Sequence, residues 1–193
     1  PPARLTRRIR QRKQPVQERS QATTEALLEA TLQVLVRHGY PALTTTKVAE
    51  RAGVSVGTLY QYFPDKQAVV RALLDAERQR AVASLDAWLV EITQRRLGMS
   101  EAAEGIVSKA FDAFAGRTPA RRKLARFLWR QDADDSIALA LRATIERLAV
   151  RLQEATGSAV PLERLFVVTR AVLGTLRYAS LEASPMVASG VLE

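Results

Sequence analysis

The sequence predicts an all-α fold with about eight or nine helices. Apolar residues recur at three- and four-residue spacing through most of the 193 residues, as they do on the buried face of a helix. Glycine and proline separate these segments at positions where helices end or begin. No segment alternates apolar and polar residues in the manner of a half-buried strand.

The first four helices are short or sharply bounded. The first is expected over residues 18–38, and Gly39 stands where a left-handed residue ends a helix. The second has Thr44 as its expected N-cap and ends at Gly53. A third helix is expected over residues 56–62, and the Pro-Asp pair that follows starts a long fourth helix.

The later helices are predicted from similar start and stop residues. Their expected start signals are Ser100, Thr118-Pro119, an acidic turn over residues 132–135, and Pro161. Their expected breaks are Gly98, Gly116, Gly157 and Ser184-Pro185.

Composition excludes several kinds of site. The chain has no cysteine, which excludes disulfides and thiolate metal sites, and His38 is its only histidine. No run of about 18 apolar residues is present, so we expect no membrane span. The basic amino terminus lacks an apolar segment and does not resemble a secretory signal, so a cytoplasmic location is expected.

The net charge of +9 is concentrated at the amino terminus. Residues 1–19 carry seven basic side chains and one acidic one, whereas residues 20–66 carry four of each sign. We expect residues 1–18 to form a flexible basic arm that is attracted to a polyanion. The alternative is a solvated tail without a partner.

The segment AERAGVSVGTLYQYFPDK has the spacing of a helix-turn-helix. A helix of about eight residues, a turn at Gly53 and a second short helix follow one another. Small or planar hydrogen-bonding groups dominate the outward face of the second helix, as major-groove recognition requires. That face comprises Ser55, Val56, Gly57, Thr58, Tyr60, Gln61 and Tyr62.

Neighbouring residues fit phosphate binding. Thr45 and Thr46 lie at the start of the preceding helix, where free N–H groups and the helix dipole favour an anion, and Lys47 adds a charge. Lys66 lies in a first helical turn, where a cation is unfavourable unless an anion such as phosphate is nearby. The alternative is that the tyrosines are packing residues and the threonines are ordinary caps.

The longer segment LTTTKVAERAGVSVGTLYQYFPDKQAVV resembles the DNA-binding region of the TetR (tetracycline-repressor-like) family, over about residues 19–75. The resemblance implies a DNA-binding head at residues 19–66 and an effector-binding, dimerising helical domain at residues 67–193. It implies base contacts from Thr46, Val56, Thr58 and Tyr60. It implies phosphate contacts from Thr45, Lys47, Ser55, Gln61, Tyr62 and Lys66.

One departure from the family pattern concerns base reading. Val56 and Gly57 offer little hydrogen bonding, so direct readout is expected to be sparse and to use thymine methyl groups. Readout of DNA shape, or insertion of the basic arm in a minor groove, would compensate.

The last clear helix is the expected dimer surface. Small residues there accompany an apolar stripe formed by Leu165, Val168, Val172 and Leu176. The alternative is that this stripe faces its own core. The resemblance also implies an effector pocket, whose contacts are expected to be largely apolar. The residues predicted for it are Trp88, Phe111, Phe114, Phe127, Trp129, Arg130, Arg177 and Tyr178. The alternative for each aromatic residue is that it belongs to the core, which is the more common role.

The function predicted is therefore a homodimeric, ligand-responsive repressor bound to a pseudo-palindromic double-stranded DNA operator. The alternative is an adaptor or architectural protein of the same fold, without a small-molecule switch. An enzyme is not expected, since Asp132, Asp134 and Asp135 fit a helix start and no glycine-rich phosphate loop is present. No cofactor is predicted.

Overall fold

The computed structural model describes residues 13–131, 141–156, 159 and 161–182. These residues form eight α-helices and no strand, which confirms the all-α prediction. The helices are α1 Lys13–His38, α2 Thr45–Ala52, α3 Val56–Tyr62, α4 Lys66–Arg95, α5 Met99–Phe114, α6 Pro119–Gln131, α7 Arg142–Thr156 and α8 Leu162–Leu181.

The chain divides into two compact units, and the boundary falls inside α4. The first unit ends at Val70 and the second begins at Arg71. In the first unit α1 packs on α2, and α2 packs on α3. Its core is formed by fully buried aliphatic side chains, each of which contributes roughly 1.5–3 kcal/mol relative to exposure. These are Leu27, Leu43, Val48, Leu59 and Val69.

Helix α1 begins at Lys13, earlier than the sequence predicts. Pro15 does not prevent this, because it lies in the first turn, where its missing N–H removes no intrahelical bond. The helix therefore extends into the segment that was expected to be a flexible arm. The remaining arm residues, 1–12, lie outside the described part of the chain.

The predicted ends of α2 are confirmed. Thr44 accepts a hydrogen bond at its side chain from the Lys47 amide at 3.2 Å. Gly53 has φ 70° and ψ 29°, the left-handed conformation that a residue without Cβ adopts at least cost. The predicted cap of α5 is wrong: Gly98 is the N-cap, and Ser100 donates its hydroxyl to Glu104 instead.

In the second unit α8 packs on α5, α6 and α7. Trp129 is central to this packing. Its indole N–H donates to the carbonyl of Phe114 at 2.7 Å, which satisfies an acceptor in the last turn of α5. The two rings are in contact, with centroids 5.6 Å apart.

A buried carboxylate ties α4 to α6. Glu77 is 8% exposed and accepts hydrogen bonds from Arg80 and from Arg121, the latter at 2.8 Å. Arg121 belongs to a basic first turn of α6 that the helix dipole alone disfavours. The Glu77 pair explains why a cation is accommodated there.

Of the helices that the structure describes, none has both the length and the apolar content needed to cross a bilayer.

Candidate nucleic-acid interface

Helices α2 and α3 pack together through buried apolar side chains, and α3 has a polar face on its exposed side. Val48, Ala49 and Leu59 are fully buried. Ser55 is the N-cap of α3, and its hydroxyl oxygen accepts from the Thr58 amide at 2.9 Å. Phe63, also buried, ends the helix by donating its amide to the Leu59 carbonyl at 2.9 Å. The orientation of α3 is therefore set by a side-chain cap at its start, by Leu59 in its middle and by Phe63 at its end.

Two hydroxyl pairs order the exposed surface of this motif. The Ser55 and Thr58 side-chain oxygens lie 2.8 Å apart. The Thr45 and Tyr60 hydroxyl oxygens lie 3.3 Å apart and join the start of α2 to the outer face of α3. Tyr60 is 51% exposed, so its ring is not a core residue.

The other predicted recognition residues are spread over exposed and half-buried positions. Their helical spacing places Val56 and Tyr60 on one stripe of α3, and Gly57 and Gln61 on the next. Thr46, Lys47, Ser55, Gly57 and Gln61 are exposed. Thr45, Val56, Thr58, Tyr62 and Lys66 are half-buried.

The two lysines have partners within the first unit. The Lys47 ammonium group donates a hydrogen bond to the Ala42 carbonyl oxygen, with an Nζ–oxygen distance of 3.0 Å. Lys66 donates to the Tyr40 carbonyl at 3.0 Å, and its Nζ lies 4.1 Å from the centroid of the Tyr40 ring. This carbonyl and this ring stabilise a cation in the first turn of α4, so the position of Lys66 does not require a phosphate.

Arg51 is a basic residue of this surface that is not among the predicted DNA contacts. It is exposed on α2 and donates its Nε to the side chain of Gln33 on α1. Together with Lys47, His38 and Glu50 it lines a shallow surface depression in the first unit. The i, i+4 spacing of Lys47 and Arg51 places both cations on one face of α2, and this spacing is visible in the sequence.

The second unit contains an apolar cavity of about 260 Å³. Side chains of α4, α5, α7 and α8 line it, and nearly all of them are aliphatic. Among the residues predicted for an effector pocket, Phe114 lines this cavity. The other seven do not line it, so the cavity and the predicted pocket are largely different sets.

Those other residues have identifiable positions. Phe111 and Trp129 are buried in the core of the second unit, and Arg177 lies over the Trp129 ring at 5.9 Å. Trp88 packs so closely on α5 that a Cβ on Gly105 would lie 2.1 Å from its ring. Phe127 is half-buried, Arg130 is exposed, and Tyr178 is 65% exposed.

Tyr178 also shows an electrostatic effect. The carboxylate of Glu182 accepts a hydrogen bond from its phenol and raises the pKa of Tyr178 above the ordinary value.

The predicted dimer stripe is divided between two environments. Leu165, Val168 and Val172 line the apolar cavity, whereas Leu176 is 4% exposed and belongs to the core of its own unit. Helical periodicity turns Leu176 inward, because it lies three residues after the buried Leu173. Val168 is also exposed at the surface of α8, together with large side chains outside the predicted stripe: Leu162, Phe166, Val167 and Tyr178.

The acidic triplet Asp132, Asp134 and Asp135 lies outside the described residues. Within the described ranges, no group of three or more acidic, histidine or cysteine side chains is arranged to hold a metal ion.

Comparison with known proteins matches the first unit and part of α4. The family described as "Bacterial regulatory proteins, tetR family" matches residues 27–73. The transcriptional repressor KstR of Mycolicibacterium smegmatis is 45% identical over 60 residues, which cover 31% of this chain and 29% of KstR. The chain spans less than a third of the length of KstR and of other curated relatives that are 42–46% identical over 52–60 residues.

One relative and one solved structure extend the likeness into the second unit. The transcriptional regulator FadR of Bacillus subtilis, solved in complex with stearoyl-CoA, has a similar fold, with a TM-score of 0.59 at 19% identity over 82% of this chain and 85% of FadR. The HTH-type transcriptional regulator TtgW of Pseudomonas putida is 30% identical over 114 residues, which cover 59% of this chain and 78% of TtgW. With the matching first unit and this coverage of TtgW, the chain belongs to the TetR family of transcriptional regulators.

Proposed function

We propose that this protein is a sequence-specific DNA-binding transcriptional regulator that acts as a repressor. The observation that carries the proposal is the capped helix α3, whose exposed face bears Tyr60 and whose base is held by the buried Leu59. An α-helix with short or planar polar groups on one face fits the major groove. Cytoplasmic location and the absence of catalysis are part of the same proposal.

We assign two kinds of DNA contact to this surface. Base contacts come from the outward positions of α3 and from the start of α2: Thr46, Val56, Thr58 and Tyr60. Phosphate contacts come from Thr45, Lys47, Ser55, Gln61, Tyr62 and Lys66, to which Arg51 is added because it shares a face of α2 with Lys47. The Thr45–Tyr60 pair would position the phenol before DNA arrives.

The regulator would act as a homodimer. The exposed apolar surface of α8 supports this, because Phe166 and Val167 are 54% and 64% exposed and lie on neighbouring positions. A two-fold dimer places two α3 helices in half-sites about 34–36 Å apart, or a multiple of that distance. The operator would then be a pseudo-palindrome.

The second unit would bind a small-molecule effector in its apolar cavity of about 260 Å³. The FadR complex with stearoyl-CoA shows that a protein of similar fold binds a ligand. For the ligand to release DNA, it must bind more tightly to the form with low DNA affinity. The alternative, a DNA-bound adaptor or architectural protein of this fold, would bind DNA without such a switch.

Selection of bound sequences from a random double-stranded library tests the proposal. We expect enrichment of inverted half-sites at the spacing given above. Ser100→Ala, at an exposed α5 position outside the proposed DNA and dimer surfaces, is the control and should select the same sequence. Failure of the unaltered chain to enrich any sequence would contradict the proposal.

The same selected DNA separates the regulator from the adaptor. Titration of small apolar compounds into the complex should release DNA if the effector assignment is correct. An adaptor would hold the DNA at every concentration at which the compound occupies the cavity.

A further inference from the structure

We infer that the apolar cavity of the second unit selects an uncharged, predominantly hydrocarbon ligand by shape, with no ionic anchor among the residues that the structure describes. This inference rests on the proposed function, in which the cavity is the effector site, and specifies the chemical class of the effector. Three features of the wall carry it: its composition, the hydrogen bonds of its two hydroxyl groups, and the ion pair of the arginine that contacts one of them.

The described residues that line the cavity carry no charge. They are aliphatic except for Phe114 and two threonines, Thr144 and Thr169. An ionised group placed against such a wall loses its hydration and gains no counter-ion. A hydrocarbon surface gains from the same transfer.

Both hydroxyl groups are already engaged. Thr169 donates its only hydroxyl proton to the Leu165 carbonyl at 2.8 Å, one turn earlier in α8. The Thr144 oxygen accepts a hydrogen bond from Arg147 at 3.0 Å. The described side chains of the wall therefore offer a ligand at most one hydroxyl proton, which is too little to hold a carboxylate or a phosphate.

The cation that contacts the wall at Thr144 is already paired with a carboxylate. Arg147 forms a two-pronged pair with Asp86, with nitrogen–oxygen distances of 2.8 to 3.1 Å. This pair joins α7 to α4, and neither residue lines the cavity. Moreover, none of the described side chains has a buried nitrogen or oxygen atom without a hydrogen-bond partner. The described part of the wall therefore has no buried polar atom that needs a ligand as its partner.

The cavity volume limits the size of the ligand. At about 260 Å³ it lies just below the range of roughly 300–1,000 Å³ that is usual for small-molecule sites. Val107 and Val168 line it and are also 44% and 59% exposed, so we place the entry between α5 and α8. A hydrocarbon skeleton of two or three rings is of suitable size.

A matched pair of fluorescent probes tests the inference on the full chain. N-phenyl-1-naphthylamine is uncharged, and 8-anilinonaphthalene-1-sulfonate has the same rings with an added sulfonate. We expect the uncharged probe to bind at least ten times more tightly. Equal affinity, or a preference for the sulfonate, would overturn the inference.

Variants localise the binding and test for a polar anchor. Ala103→Phe, which adds a ring at a wall position, should weaken binding of the uncharged probe about tenfold, whereas Ala83→Phe at an exposed α4 position outside the wall should not. Thr169→Val, which removes the hydroxyl and keeps the shape, should change the affinity less than twofold. A tenfold loss for Thr169→Val would show that the site uses a polar anchor and would overturn the inference.

The outcome is separable from that of the proposed function. If the uncharged probe binds as expected but never alters DNA affinity, the ligand class stands and the regulatory role of the cavity fails. If the sulfonate is preferred and releases DNA, the regulatory role stands and the ligand class is overturned.

Discussion

The two units are specific in different ways. On α3, polar groups are held at fixed positions by partners such as the Ser55–Thr58 and Thr45–Tyr60 pairs. In the second unit, the cavity wall consists almost entirely of aliphatic surface. Binding to the polar face of α3 depends on the direction of each hydrogen bond. Binding in the cavity depends on how well the volume of the ligand fits the wall. Substitutions should therefore act sharply in the first unit and gradually in the second.

The largest expected effect is that of Leu59→Ala. Leu59 is fully buried and fastens α3 to its unit, so the substitution should lower the free energy of unfolding by roughly 2–5 kcal/mol. Leu165→Ala is the matched control, because Leu165 faces an existing cavity and has fewer packed neighbours on that side. Denaturant titration followed by circular dichroism measures both, and an equal loss would contradict the contrast between the two units.

An intermediate effect is expected for Ser55→Ala. The substitution removes the α3 cap, which is typically worth about 1 kcal/mol, and leaves the Thr58 amide without its partner. Ser100→Ala is the matched control, since Ser100 is exposed on α5 and caps no helix. Its cost should stay within about 0.5 kcal/mol. Thermal unfolding of the two variants compares them directly, and equal costs would show that the cap does not stabilise α3.

The smallest effect is the coupling between Thr45 and Tyr60. Their hydroxyl pair is at the surface, so a double-mutant cycle of Thr45→Val and Tyr60→Phe should give a coupling of about 0.5–1 kcal/mol in stability. The same cycle measured on DNA affinity should show a larger coupling if the pair positions the phenol. Additive effects on DNA affinity would mean that the two residues contact DNA independently.

Much of the first unit could be predicted because its determinants are local. Thr44, Gly53 and Ser55 act within one turn of a helix, so their residue types indicate both ends of α2 and the start of α3. Lys66 could not be interpreted in this way. Its partner is Tyr40, 26 residues earlier, and sequence spacing does not reveal such a contact.

The second unit was predicted less completely because packing between distant segments decides it. The break near Gly98 is visible in the sequence, but whether Gly98 or Ser100 caps α5 depends on how the chain enters the helix. An aromatic residue in a sequence indicates burial but does not indicate a cavity. Trp129 and Phe111 are therefore predicted to line a pocket, whereas both are buried in the core of the second unit. A cavity is space that side chains leave unfilled, and no sequence pattern records it.

The central claim is that the exposed face of α3 reads DNA sequence. The most direct test measures the affinity of the unaltered chain and of Tyr60→Ala for the selected operator and for unselected DNA of equal length, at one salt concentration. We predict that Tyr60→Ala weakens operator binding at least tenfold, with little change on unselected DNA and with the fold retained. An unchanged ratio of the two affinities would contradict the assignment of α3 as the reading helix.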